Sequence, residues 1–163
     1  MLNTVCFIEH FLSKEECMNL RNQDAWENGL VSNNTNALNL NVRNSKIKWL
    51  TSFSHPEMYL KVINLFNEVN NSTYNYDLRF LDSLQLTLYN GDEEGFYGIH
   101  KDSFNNEVGD LSDRKLSLSI LLSDPSEYEG GDLVIDQENK EPTVVPKKIG
   151  GGRAMYSAGG TAM

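Results

Sequence analysis

The feature that most constrains this chain is a change of hydrophobic period near its midpoint. In residues 55–69, Tyr59, Val62, Ile63, Phe66 and Val69 recur at steps of three and four, which predicts an amphipathic helix opened by His55-Pro56-Glu57 with that stripe facing the core. In residues 84–89, Leu84, Leu86 and Leu88 alternate with Gln85, Thr87 and Tyr89. Residues 115–123 repeat the pattern, with Leu116, Leu118, Ile120 and Leu122 on one face and Ser117, Ser119, Leu121 and Ser123 on the other. A period of two is that of a strand. Helices first and several short strands later give an α+β class, with a sandwich or jelly roll whose N-terminal helices cover one sheet.

The remaining segments fit that frame. Residues 4–11 (TVCFIEHF) read as a short strand. Ser13-Lys14-Glu15-Glu16 carries a capping-box signature, with Leu12 and Cys17 at staple positions, and starts a helix to about Asp24. Seven asparagines between 28 and 44 mark an irregular stretch, followed by a strand at 45–50. A turn at Glu129-Gly130-Gly131-Asp132 precedes short strands at 133–135, 142–146 and 153–157. No repeat or linker divides the 163 residues, so a single domain over 1–163 is expected, with helical support in about 1–75 and the strand-rich core in about 76–163. The polar faces of the two alternating strands set Gln85, Thr87, Tyr89, Ser117 and Ser119 either into a cavity between sheets or toward water on a one-sided sheet.

Charge narrows the partners. Fourteen basic against 23 acidic residues give a net charge of −9, which disfavours nucleic acid and anionic membrane surfaces and suits metal ions or basic peptides. Two cysteines, Cys6 and Cys17, make no disulfide framework. The first residues lack the basic region of a signal peptide, and no window is long and apolar enough to span a bilayer. The expectation is a reduced, cytoplasmic protein whose oligomeric state the sequence does not give.

Among three histidines, His100 stands out through His100-Lys101-Asp102. In extended backbone, residues i and i+2 project to one side, so imidazole and carboxylate can converge on one cation. Two ligands from one strand edge are what a 2-His-1-carboxylate site needs before its third, leaving open positions on a non-haem Fe(II). With ten aspartates in the chain, chance alone supplies ~0.2 such pairs, and a loop histidine beside a turn aspartate is the plainer alternative.

Context adds specificity. The segments Leu88-Tyr89-Asn90-Gly91-Asp92-Glu93-Glu94-Gly95-Phe96-Tyr97-Gly98-Ile99-His100-Lys101-Asp102, Arg114-Lys115-Leu116-Ser117-Leu118-Ser119 and Tyr128-Glu129-Gly130-Gly131-Asp132-Leu133 resemble, in this order, the prolyl 4-hydroxylase-like branch of the 2-oxoglutarate- and Fe(II)-dependent dioxygenases, PKHD-type hydroxylases in particular. Residues 11–17 and 42–50 resemble the entries to that family's two helices, so the likeness spans nearly the whole chain and is most specific at 85–135. It implies a double-stranded β-helix (jelly roll), hydroxylation of a protein or peptide substrate with a prolyl residue leading, and Fe(II), 2-oxoglutarate and ascorbate as reductant. By position, His100 and Asp102 match the first two iron ligands. Tyr89 matches the strand tyrosine that contacts 2-oxoglutarate, Ser117 a hydroxyl near that co-substrate, and Gly130-Gly131 a tight-turn pair that a plain hairpin explains equally well.

One part of the family pattern has no match. Its distal histidine is expected near Thr161-Ala162-Met163, yet no histidine follows His100. The carboxylate clamp and the last strands also lack counterparts, and Arg153 lies too early to serve as the clamp. The chain is therefore expected to be either truncated at its C-terminus or a degenerate relative, a non-catalytic dioxygenase-like module that binds peptide. A cupin-like small-molecule binder is the third class. Gly150-Gly151-Gly152-Arg153 lacks the spacing of a phosphate loop, and Asp92-Glu93-Glu94 reads as a solvated acidic loop.

Overall fold

A computed structural model of the chain describes residues 5–31, 38–102, 114–136, 141–150, 152–157 and 161–162, the last two segments as strand backbone. They group into two compact units. One is Ala25–Gly95; the other joins Met1–Asp24 to Phe96–Met163.

In the first unit three strands pair antiparallel, with Lys46–Leu50 between Glu27–Asn28 and Leu84–Leu88. Register sets the faces, because directly opposed residues share one. Leu50 lies across from Leu84 and Lys48 from Leu86, whereas Ile47 opposes Thr87 and Trp49 opposes Gln85. The leucine face and the polar face expected of residues 84–89 are thus separated, and the strand itself ends at Leu88. Helix Pro56–Val69 begins where expected, with proline in the first turn, where its missing N–H costs nothing. It is tied to the sheet end by Tyr59, whose hydroxyl donates to Leu50 O (2.8 Å) and accepts from Leu84 N (3.2 Å). Its buried residues are Val62 and Leu65, while Ile63 is 38% exposed. The expected stripe is corrected by this: Leu65 replaces Ile63 at its centre, since steps of three from Tyr59 through Val62 fit the helical period as well as the step to Ile63 does.

Beyond the helix, a π-helical turn, Asn70–Tyr74, ends at Asn75 in the left-handed region (φ 54°). The buried Asn70 side chain clamps the exit by donating to Tyr76 O and accepting from Tyr76 N, each at 2.9 Å. The asparagine-rich stretch is largely turn, as expected where it is described. Asn39 accepts at its side chain from Asn41 N (3.1 Å) and at its carbonyl from Val42 N and Arg43 N. Only Asn28 joins a strand before Arg43–Asn44, and residues 32–37 lie outside the described residues.

The second unit holds two antiparallel sheets. One runs Cys6–Phe7, Gly152–Ser157, Leu116–Ile120; the other Thr143–Val144, Val134–Asp136, Thr161–Ala162, His100–Lys101. Its helix, Lys14–Arg21, is shorter than expected, closing at Asn22. The capping box is present: Glu16 N donates to Ser13 Oγ (3.1 Å) and Ser13 N to Glu16 Oε2 (2.9 Å). The staple residues Leu12 and Cys17 are buried. The first strand is only Cys6–Phe7, because the chain turns at His10, whose φ is 57°. Buried Ile135 and Val145 pack with Val5 and Leu133. Gly150, at φ +59°, receives the Leu12 N–H at its carbonyl (2.7 Å) and donates to Leu121 O (2.9 Å), so one glycine ties the helix entry to the end of a strand.

Candidate functional site

The sequence runs Phe96-Tyr97-Gly98-Ile99-His100-Lys101-Asp102 and folds as two short strands, Phe96–Tyr97 and His100–Lys101, broken by a bend at Gly98-Ile99. His100 and Asp102 lie two residues apart and converge: His100 Nε2 stands 3.5 Å from Asp102 Oδ1, with the two side chains 23% and 17% exposed. The other ring nitrogen, Nδ1, sits 2.9 Å from Gly98 O. A carbonyl only accepts, so Nδ1 donates to it, and Nε2 is the nitrogen left on the side of the carboxylate. That is the arrangement of a metal-binding histidine with its outer partner in place. Donor atoms 3.5 Å apart can also span one cation at the ~2.0–2.2 Å that imidazole and carboxylate keep from a first-row metal such as zinc.

Two neighbours of this pair escaped sequence reasoning. Tyr97 stacks on the His100 ring with centroids 3.7 Å apart and planes 11° from parallel. Residues i and i+3 of a continuous strand face opposite ways, so alternation hides this contact; only the bend at Gly98-Ile99 makes it. Arg114, just before strand Leu116–Ile120, places Nη1 3.8 Å from Asp102 Oδ1. A bound cation would share that oxygen with the guanidinium.

Ser117 lies on Leu116–Ile120 in the same unit. It is 8% exposed, and its Oγ has no hydrogen-bond partner among the described residues. A buried hydroxyl without a partner is costly, so this atom suits a polar ligand group. Tyr89 belongs to the other unit, just past Leu84–Leu88, and is 46% exposed. The polar face of that strand is occupied in part by a residue the alternation could not reveal. Buried Arg43 donates from Nη2 to Gln85 Oε1 (2.8 Å) and from Nε to Ser45 Oγ (2.7 Å), and Thr87 Oγ1 also donates to Gln85 Oε1 (3.2 Å).

The segment expected to hold a third ligand forms strand Thr161–Ala162, paired with Lys101 and His100 in that order; Met163 lies outside the described residues. Among the described residues, no three or more His, Cys, Asp or Glu side chains gather as a metal site. The glycine pair occupies a turn in which Gly130 and Gly131 both have positive φ. Lys147 closes that turn, donating to Gly130 O, pairing with Asp132 (2.7 Å) and lying over the Tyr128 ring (5.3 Å).

Comparison with known proteins agrees with the likeness read from the sequence. No family profile matches the chain. A PKHD-type hydroxylase of Aliarcobacter butzleri (strain RM4018) is 28% identical over 146 residues, covering 81% of this chain and 59% of that protein. One of Verminephrobacter eiseniae (strain EF01-2) is 43% identical over 49 residues, 28% of this chain and 22% of that protein. The chain thus spans less than two thirds of the curated relatives it matches. Among solved structures, a Pseudomonas putida prolyl-4-hydroxylase superposes with TM-score 0.71 at 16% identity, covering 99% of this chain and 84% of that one. A Trichoplax adhaerens prolyl hydroxylase, in complex with a hypoxia inducible factor oxygen degradation domain peptide fragment, superposes with TM-score 0.73 at 18% identity, covering 99% and 76%. The fold is shared with these prolyl hydroxylases.

Proposed function

We propose that this chain, prolyl 4-hydroxylase-like in sequence and in fold, serves Fe(II)- and 2-oxoglutarate-dependent hydroxylation of a protein or peptide, with a prolyl residue the leading target. The observation that carries this is the convergence of His100 Nε2 and Asp102 Oδ1 at 3.5 Å while Gly98 O holds the proton on Nδ1. Bound Fe(II) and 2-oxoglutarate would supply the oxidation, coupling decarboxylation to succinate with hydroxylation of an unactivated C–H bond, and ascorbate would keep the iron reduced.

The chain's own residues have separable tasks in this reading. His100 and Asp102 provide two ligands from one strand edge. Ser117 offers its buried hydroxyl to 2-oxoglutarate. The two antiparallel sheets of the second unit form part of a double-stranded β-helix. The peptide held by the Trichoplax adhaerens neighbour and the net charge of −9 favour a protein or basic peptide substrate. A second reading is a dioxygenase-like module that binds peptide without turnover, since among the described residues no third His, Cys, Asp or Glu joins His100 and Asp102 as a metal site.

Anaerobic addition of Fe(II) and 2-oxoglutarate tests the site. The expected result is iron retention with a weak visible charge-transfer band, both lost in Asp102→Ala. Iron content unchanged in Asp102→Ala removes that residue from the site. Retention without oxygen-dependent succinate formation selects the binding module.

A further inference from the structure

The imidazole of His100 meets two groups from the three residues before it. Nδ1–H to Gly98 O, at 2.9 Å, fixes one in-plane direction, yet the ring can still tip about that axis and swing Nε2 away from Asp102. Across that motion lies the Tyr97 ring, 3.7 Å away centroid to centroid and 11° from parallel. A flat surface at that separation blocks tipping on one side and leaves the in-plane hydrogen bond undisturbed. We propose that Tyr97 is a positioning residue for His100: its ring face and the Gly98 carbonyl together hold Nε2 toward Asp102 Oδ1.

The local chain is built for this. The bend at Gly98-Ile99 interrupts the extended backbone between Phe96–Tyr97 and His100–Lys101 and lays residue i onto residue i+3. The same three-residue step delivers both restraints, the ring of Tyr97 and the carbonyl of Gly98. The aromatic face does the positioning, so phenylalanine should replace tyrosine, while an aliphatic side chain of similar bulk should not. Only the metal consequence rests on the function proposed above; the positioning itself belongs to the metal-free chain.

The test is NMR of the metal-free full chain with isotope-labelled histidine. In the parent and in Tyr97→Phe, His100 ring protons should show the upfield ring-current displacement of a stacked partner, with Nδ1 protonated. In Tyr97→Leu that displacement should vanish and the ring should exchange between tautomers, while unchanged His10 and His55 signals report an intact fold. Tyr97→Ala, followed the same way, guards against a packing artefact of leucine. A Tyr97→Leu chain whose His100 keeps a single Nδ1–H tautomer and a fixed ring overturns the proposal, as does a Tyr97→Phe chain that behaves like Tyr97→Leu. Co(II) titration then separates the two ideas. A loss of about tenfold in affinity in Tyr97→Leu, the lower end for outer partners of a metal ligand, with Tyr97→Phe near the parent, supports positioning. Equal Co(II) uptake by the parent and Asp102→Ala sinks the metal site and leaves the NMR result to decide Tyr97.

Discussion

At the scale of single residues, two atoms bear unusual constraints. A Cβ on Gly150 would come within 2.0 Å of the Leu12 carbonyl oxygen, and the backbone there has φ +59°. Both partners are main chain, so neither can swing aside, and the left-handed region penalises any side chain. Gly150→Ala should therefore cost more than about 1 kcal/mol, lowering Tm by at least ~2–4 °C in thermal melts. A Tm within error of the parent would mean that Leu12 and Gly150 are not locked together. Ser117 behaves oppositely. Its Oγ is buried without a partner among the described residues, so Ser117→Ala removes a desolvated group and should leave the ligand-free chain as stable as the parent or more so, by up to ~1 kcal/mol. The same variant should bind 2-oxoglutarate more weakly in calorimetry, if that hydroxyl meets the co-substrate as proposed. Stability lost with affinity unchanged would make Ser117 a packing residue. Sequence alternation placed Ser117 on the polar face, but a missing partner is a three-dimensional property that no pattern of residue types contains.

At the scale of elements, local chemistry was the most legible. The capping box Ser13–Glu16 and the proline start of Pro56–Val69 depend on residues within four positions, and both are present. Ends were less legible. Lys14–Arg21 stops before Asp24, capped at Asn22, whose N–H donates to Met18 O, and the strand expected over 4–11 is described only at Cys6–Phe7, before the positive φ of His10, which leaves no sequence signature. A further cap appears at the short 3₁₀ turn Pro125–Glu127. There Asp124 accepts from Ser126 N (3.1 Å) and Ser126 Oγ (2.9 Å), with Lys14 at 3.6 Å. The Ser126 backbone N–H, then its hydroxyl, hold the Asp124 carboxyl below its ordinary value. A lowered folded-state pKa stabilises above the unfolded value and loses that contribution as pH falls through the folded one. Asp124→Asn should melt below the parent at pH 7, and the gap should close as pH drops below the usual carboxylate range near 4. A gap independent of pH would assign the effect to packing rather than to the charge.

At the scale of the whole molecule, the polar-pair motif was legible and its surroundings were not. His100-Lys101-Asp102 could be read because both groups lie on one strand edge. Tyr97 and Arg114 could not, since one needs a bend and the other a segment after Asp102 to return. Pairing between distant strands is hidden in the same way, and it sets a sharp expectation about a third ligand position. Strand Thr161–Ala162 sits between His100–Lys101 and Val134–Asp136, with Ala162 opposite His100 on one side and Ile135 on the other. Two ladders fix that backbone, the kind of rigid support a ligand position needs. Directly opposed residues share a face, so Ala162→His would present a second imidazole on the His100 side, and Thr161→His, one position away, would present it on the opposite side. Ala162→His should therefore tighten Co(II) binding by about tenfold or more, the order of one well-placed interaction of ~1.4 kcal/mol, and shift the cobalt absorption spectrum. Thr161→His should leave both near the parent. Equal gains from the two variants would show that added histidine alone attracts the ion. No gain from Ala162→His would mean that the register between these strands does not supply a ligand position beside His100 and Asp102.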